Sequence, residues 1–184
     1  MDDIVEAALR KWPNVPDCRG WLALDARGRW WMRDAQAQAA GPFPQIKGSE
    51  VIHDRLRGFI GRNYLSHTDG DGAVRWYFQN GPQRVWVELE AAPWVVRVQR
   101  IAGGGFGLQT HTEAAIGAVE QAMLDEHGRL FVDFRRPDSP TSQFGLIHSL
   151  DVEAAADALE RLGWPLIETS FEALLDERRL VLRP

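Results

Sequence analysis

The sequence has a single cysteine among its 184 residues, and this scarcity excludes one kind of fold at once. Cys18 has no partner for an intrachain disulfide, so the chain is not one of the small disulfide-stabilised secreted domains. The start M-D-D-I is acidic, whereas a signal peptide needs a basic region followed by an apolar run. We therefore expect a cytoplasmic protein with an ordinary hydrophobic core, for which 45% hydrophobic residues are sufficient.

Basic residues and long apolar runs are also in short supply. Lys and Arg number 21 against 26 Asp and Glu, which gives a formal net charge of −5. Nucleic-acid-binding proteins usually carry excess Lys and Arg on one face, so we expect no nucleic-acid partner. No apolar run approaches the roughly 18 to 20 residues of a membrane span, so we expect no membrane partner either.

Tryptophan, in contrast, is abundant. The chain contains eight tryptophans, and a tryptophan side chain is placed most favourably where it fills a core or anchors an interface. This excess is the feature of the composition that most needs a structural explanation.

A hairpin motif occurs twice, and the second copy lies 100 residues after the first. The first copy reads L-D-A-R-G-R-W-W-M-R from Leu24 to Arg33, and the second reads L-D-E-H-G-R-L-F-V-D from Leu124 to Asp133. Each is followed by a proline-containing loop, a helical stripe, an aromatic residue at the same offset (Tyr64 and Trp164) and a later strand. This common order predicts an internal duplication.

The duplication sets the expected architecture. We predict an α+β fold of two similar repeats, each an antiparallel, strongly curved sheet packed around one helix. The first repeat takes residues 1–101, including an N-terminal helix that Asp2 or Asp3 caps, and the second takes residues 102–184. Between them, the glycine-rich stretch from Gly103 to Gly107 is interpreted as a hinge.

Local patterns place the remaining elements. Residues 35–40 are typical of an irregular loop, and Ser49 is expected to cap a helix with a buried stripe of Ile52, Leu56, Phe59 and Ile60. Alternating apolar residues from Val74 to Val98 predict a three-stranded antiparallel meander. In the second repeat we expect a strand from about Ala118, a helix that Ser149 or Asp151 caps and Gly163 ends, and a last strand at Leu180–Leu182.

The first repeat resembles an uncharacterised bacterial family, a domain of unknown function. The resemblance lies in D-x-x-G-x-W-x from Asp25 to Met32, an L-x-x-F core at Leu56 and Phe59, a D-G strand from Asp71 to Phe78, and A-P-W-V at Ala92–Val95. It covers about Gly20 to Val98 well and the second half loosely, and this chain has a longer loop between hairpin and helix. The resemblance implies a β-rich protein of two related repeats with a ligand-binding or signalling role. The family defines no catalytic residues, so none are carried over.

The leading functional hypothesis is a non-enzymatic protein that binds a small molecule or a protein partner without a cofactor. The polar face of the meander would carry Tyr77, Trp86 and Arg97, a mixed aromatic and charged surface that suits binding. Lys47 and His148 precede the expected helix caps, where a basic side chain beside a helix N-terminus could hold a carboxylate or phosphate. The alternative for these two residues is that both side chains point into solvent.

Two rival functions stay open. His111, Glu113, His148 and Asp151 could assemble a zinc or iron site for a metal-dependent hydrolase or isomerase. The chain could instead be a structural subunit, such as a homodimer whose aromatic face is closed by self-association. Cys18 could act as a nucleophile only with a histidine nearby, and a half-buried structural cysteine is the alternative.

Overall fold

The computed structural model describes residues 1–184 and divides the chain into two compact units. The first unit comprises residues 1–25, 29–90 and 178–184, and the second comprises residues 26–28 and 91–177. Each unit is built on one six-stranded mixed sheet, and five α-helices complete an α+β fold. None of these helices has the length and apolar character needed to cross a bilayer.

The first unit holds the first six strands and three helices. They are α1 (Asp3–Lys11), β1 (Cys18–Leu24), β2 (Trp30–Met32), α2 (Ala35–Ala40), β3 (Ser49–Glu50), α3 (Asp54–Arg62), β4 (Tyr64–Thr68), β5 (Val74–Asn80) and β6 (Gln83–Leu89). The strand order is β3-β2-β1-β6-β5-β4. Neighbours are antiparallel except β1 and β6, which run parallel.

The second unit holds the other six strands. They are β7 (Trp94–Arg100), β8 (Phe106–Thr110), β9 (Ala118–Leu124), β10 (Leu130–Arg135), β11 (Gln143–Ile147) and β12 (Leu166–Glu168). A 3₁₀ turn (Ser149–Asp151) leads into α4 (Val152–Leu162), and α5 (Phe171–Glu177) follows β12. The order is β12-β9-β10-β11-β7-β8, with β12–β9 and β11–β7 parallel and the other pairs antiparallel.

The sheets are therefore mixed, and the prediction of purely antiparallel sheets is wrong. Parallel neighbours need a crossover connection of a dozen or more residues, and alternation along one strand carries no information about such a distant partner. The prediction of a three-stranded meander is wrong because strand alternation does not identify the neighbouring strand. β5 and β6 pair as predicted, but the chain leaves the first sheet at Ala91 and β7 joins the second sheet.

The expected boundary at residues 101 and 102 falls inside a hairpin of the second sheet. β7 and β8 pair from Val96 with Thr110 to Arg100 with Phe106, and the backbone N–H of Ile101 donates to the carbonyl of Gly105. The glycine-rich stretch is thus the turn of this hairpin rather than a hinge between units. Gly103 and Gly104 supply the positive φ angles that such a turn requires.

Helix ends account for most of the other differences. Residues 35–40 form α2 because the Asp34 carboxylate accepts the Ala37 N–H and caps it. Ser49 lies in β3 instead of capping a helix, and α3 begins at Asp54. The Asp2 carboxylate pairs with Arg62 and does not cap α1.

In the remaining elements the sequence was partly right. Ile60 is buried as predicted, whereas Ile52 is 77% exposed. The predictions of β9 and of α4 ending at Gly163 in the left-handed region are confirmed. The expected last strand forms only isolated contacts with the first sheet, through Leu180 and Leu182.

The core explains most of the tryptophans. Five of the eight are buried, namely Trp30, Trp76, Trp86, Trp94 and Trp164. In the first unit Tyr64 lies between two of them, with ring centres 5.1 Å from Trp30 and 4.7 Å from Trp76. Burial raises the pKa of Tyr64 well above its ordinary value. The second core stacks Phe131 on Phe144 and Phe171, at 5.3 and 5.8 Å.

Candidate functional site

The five residues predicted to bind a ligand are divided between the two units. Tyr77, Trp86 and Lys47 belong to the first unit, whereas Arg97 and His148 belong to the second. Within the first unit only Tyr77 and Trp86 are in contact.

Tyr77 and Trp86 are directly opposed residues on the antiparallel strands β5 and β6. Their ring centres lie 5.7 Å apart with an interplanar angle of 65°, an edge-to-face arrangement that stabilises aromatic pairs. The Trp86 ring is only 4% exposed, and its Nε1–H donates to the Asp17 carboxylate at 2.9 Å. Trp86 is thus a fixed side chain on the polar face of the sheet.

Two arginines lie over these rings. The Arg19 guanidinium carbon is 5.0 Å from the centre of the Trp86 ring, and that of Arg84 is 5.2 Å from Trp86 and 4.5 Å from Tyr77. These are cation–π distances. We call Arg19, Tyr77, Arg84 and Trp86 the Trp86 cluster.

Three carboxylates near the Trp86 cluster are engaged by other groups. Asp17 accepts the Trp86 indole N–H, Glu88 pairs with Arg33 at 2.8 Å, and Asp69 pairs with Arg75 and, at 3.3 Å, with His67 Nε2. The side chains of Arg19 and Arg84 make no hydrogen bond and no ion pair within 4 Å. The two guanidiniums are therefore held by aromatic rings alone.

Lys47 lies in an ion-pair network and not beside a helix N-terminus, because α3 starts seven residues later than Lys47. Its Nζ is 3.2 Å from the Asp25 carboxylate and 3.4 Å from that of Glu90. Asp25 is buried and also accepts hydrogen bonds from Arg29 and from the Trp31 indole. Lys47 therefore ties the loop before β3 to the hairpin turn, a structural role.

Arg97 is likewise engaged within its own unit. Its Nε donates to Asp151 at 2.6 Å, and the Val98 N–H donates to the same carboxylate at 3.1 Å. Burial alone would raise the pKa of Asp151, but the hydrogen bonds from Arg97 and Val98 and the charge of Arg97 hold that pKa below its ordinary value. This pair fixes the 3₁₀ turn against β7 and separates Arg97 from the predicted surface.

His148 caps the 3₁₀ turn. Its Nδ1 accepts the Leu150 N–H at 3.1 Å, and the side chain is buried rather than directed into solvent. His111 Nδ1 accepts the Val95 N–H at 3.2 Å, so both histidines use Nδ1 for a backbone contact. No group of three or more His, Cys, Asp or Glu side chains in the chain is arranged to hold a metal ion.

Cys18 sits at the start of β1 and is partly buried. Burial raises the pKa of its thiol above the ordinary value, whereas a nucleophilic cysteine needs a lowered pKa. The local environment therefore favours the structural interpretation of this residue.

Sequence reasoning found half of the Trp86 cluster. Arg84 lies two residues before Trp86 on the same strand, and period-2 alternation would have placed it on the same face. Arg19 had no such signal, since it approaches Trp86 only because β1 pairs in parallel with β6. That pairing joins segments about 65 residues apart, which local patterns do not reveal.

Comparison with known proteins gives a family but no activity. The family model DUF2944, described as "Protein of unknown function (DUF2946)", matches residues 1–180, and the chain belongs to this family. No curated protein and no solved structure matches the chain.

Proposed function

We propose that this member of a family of unknown function is a non-enzymatic binding protein, and that the Trp86 cluster is its binding surface. The single observation that carries the proposal is the pair of guanidiniums held over Trp86 and Tyr77 without an ion pair to any carboxylate within 4 Å. Arginine, tyrosine and tryptophan are the residues that most often dominate binding energy at protein surfaces. The cluster brings all three types together on one sheet face.

The role of the aromatic residues differs from the one that the sequence suggested. Because Trp86 is almost fully buried, a ligand cannot stack on its ring. Trp86 instead supports the arginines, and the accessible surface consists of Arg19, Arg84 and the partly exposed edge of Tyr77. Recognition would therefore depend mainly on the guanidinium groups.

We also propose that the two units descend from one duplicated hairpin-and-helix element. Support comes from the register, since Leu24 pairs with Trp30 and Leu124 pairs with Leu130 at the same places in their hairpins. In both units the carbonyl of the leucine accepts a backbone N–H from a parallel neighbour, Glu90 after β6 and Thr169 after β12. A duplication predicts that the backbone of the hairpin at Leu24–Arg33 superposes on that of the hairpin at Leu124–Asp133.

Native mass spectrometry of the untagged full chain, isolated from its own cells, tests the binding function. We expect a bound small molecule or partner on the natural chain and its loss in Tyr77→Ala. Trp12→Ala is the matched control, because Trp12 is an exposed aromatic residue at the C-terminal end of α1 and is not part of the cluster. Retention of the bound species in Tyr77→Ala would contradict the assignment of the site.

The same spectra separate binding from the structural-subunit alternative. A protein that closes this face by self-association would appear as a dimer, and Tyr77→Ala would convert it to a monomer. A protein that is monomeric and carries nothing in every preparation would remove the proposal.

A further inference from the structure

Arg19 and Arg84 are unusual among the arginines of this acidic chain. Acidic residues exceed basic ones, 26 to 21, and other arginines near the first sheet have carboxylate partners, such as Arg33 with Glu88 and Arg75 with Asp69. A guanidinium offers five N–H donors. The guanidiniums of Arg19 and Arg84 each lie over the Trp86 ring, and neither donates a side-chain hydrogen bond within the protein.

Stacking on an aromatic ring determines which part of a guanidinium stays available. The five N–H donors lie in the guanidinium plane, so a face placed against a ring leaves the donor edges directed outward. Planar carboxylates and phosphates accept two parallel N–H bonds from such an edge. A cation–π contact made through the guanidinium face therefore leaves available the part of the arginine that recognises an anion.

The platform under the arginines is rigid. Trp86 is buried, its indole N–H is bonded to Asp17, and the Tyr77 ring packs against its edge. An arginine side chain that is already held by a ring loses less conformational freedom when it binds an acceptor. Both guanidinium carbons lie about 5 Å from the centre of the same ring, so one fixed ring restrains both side chains.

Other ligand chemistries fit the cluster less well. A nucleobase needs an open aromatic face, but Trp86 is covered and Arg84 lies over Tyr77. A polyanion such as a nucleic acid would also be repelled by the net charge of −5. A single anionic group on a small molecule needs no open aromatic face and is repelled less.

We infer that the Trp86 cluster is a site for the carboxylate or phosphate group of a small anionic ligand, bound by the guanidinium edges of Arg19 and Arg84. This inference rests on the proposed binding function and gives the chemical class of the ligand.

Titration of the full chain with two simple probes, inorganic phosphate and succinate, tests the site. Two-dimensional proton–nitrogen NMR would follow the Trp86 indole N–H, assigned through Trp86→Phe, together with the arginine Nε–H signals. We expect saturable shifts of these signals with at least one probe and none with sodium chloride at equal ionic strength. The stronger probe shows whether the group recognised is a carboxylate or a phosphate.

Three variants decide the role of the guanidiniums. The double variant Arg19→Gln with Arg84→Gln should weaken probe binding by at least about tenfold, while its spectrum stays otherwise folded. Arg84→Lys keeps the charge but lacks the planar fork, and it should weaken binding severalfold. Arg55→Gln is the matched control, because Arg55 is exposed on α3 and has no partner.

The inference is overturned by shifts that follow ionic strength alone, or by equal affinity in the double variant and the natural chain. Its failure is distinct from failure of the proposed function. A ligand that is lost in Tyr77→Ala, combined with no specific anion binding, keeps the binding function and removes the anion site. Specific anion binding by a chain that is isolated with nothing bound keeps the site and removes the proposal that it serves a resident ligand.

Discussion

The side chain of Asp125 closes the β9–β10 hairpin by binding Arg129 twice. One carboxylate oxygen accepts the Arg129 backbone N–H at 2.8 Å, and the other accepts its Nε–H at 2.7 Å. Asp25 makes the same two contacts with Arg29, at 3.0 and 2.9 Å. In both turns a glycine with positive φ, Gly28 or Gly128, precedes the arginine. The motif D-x-x-G-R is thus a turn-closing device and needs no ligand to explain it.

Replacing Asp125 by Ala should destabilise the protein by about 2 to 3 kcal/mol, because hydrogen bonds to a charged group are lost together with the closure of the turn. Urea denaturation measures the change. Asp138→Ala is the control, since that carboxylate pairs with Arg136 but is 66% exposed, and we expect at most about 0.5 kcal/mol there. Equal effects of the two changes would show that burial of the Asp125 pair contributes nothing.

The ion pair of Asp151 with Arg97 predicts a loss of stability in acid. Since the folded-state pKa of Asp151 lies below its ordinary value of 3.8, its contribution is complete above that pH and is lost as the pH falls through the folded-state pKa. Asp151→Asn should therefore be less stable than the natural chain near neutral pH, and the gap should shrink below about pH 4. Urea midpoints over a pH series would show this convergence. Asp54→Asn, on the exposed start of α3, should give no such gap at any pH.

Trp86 should matter for stability even in the absence of any ligand. Trp86→Ala opens a cavity under the arginines and should cost about 3 to 5 kcal/mol. Trp86→Phe keeps most of the ring and loses the N–H bond to Asp17, which should cost about 1 kcal/mol or somewhat more. Thermal unfolding followed by circular dichroism would rank the two. The exposed Trp12→Ala should change stability least, and a different order would contradict the role of Trp86 as a buried platform.

Gly163 ends α4 with φ +68°, in the left-handed region, and a Cβ at that position would meet no other atom within 4 Å. Gly163→Ala should therefore cost about 1 kcal/mol through backbone conformation alone. Gly70→Ala is the matched control, since a Cβ at Gly70 would also meet no atom within 4 Å but the φ of Gly70 lies outside the left-handed region. Chemical denaturation should find Gly70→Ala close to neutral. A neutral result for Gly163→Ala would mean that the helix end can rearrange.

The sequence predicted what local spacing encodes. The paired hairpins, α1, α4 with its glycine end, and β9 follow from turn residues and periodicity within a few positions. It did not predict the parallel pairings of β1 with β6 and of β11 with β7, because these join segments that are far apart in the chain. It also missed α2, because this helix consists of alanine and glutamine and has no apolar stripe; only its cap, Asp34, marks its start.

The candidate site shows the same limit. Tyr77 and Trp86 were predicted to share a face because their strands are adjacent in sequence, and they do. Arg97 was assigned to that face by alternation and His148 to a helix N-terminus by its position, and both are engaged with Asp151 or its turn in the second unit. Alternation shows on which side of a strand a residue lies, but not which strand lies next to it.

The first unit is discontinuous in the chain, and this has a consequence for its assembly on the ribosome. Residues 178–184 return to the first sheet, where Val74 and Leu89 donate backbone hydrogen bonds to the carbonyls of Arg179 and Leu182. These closing contacts can form only after residues 178–184 have been translated. The second unit, which is encoded within the first, can therefore reach its native contacts before the first unit does.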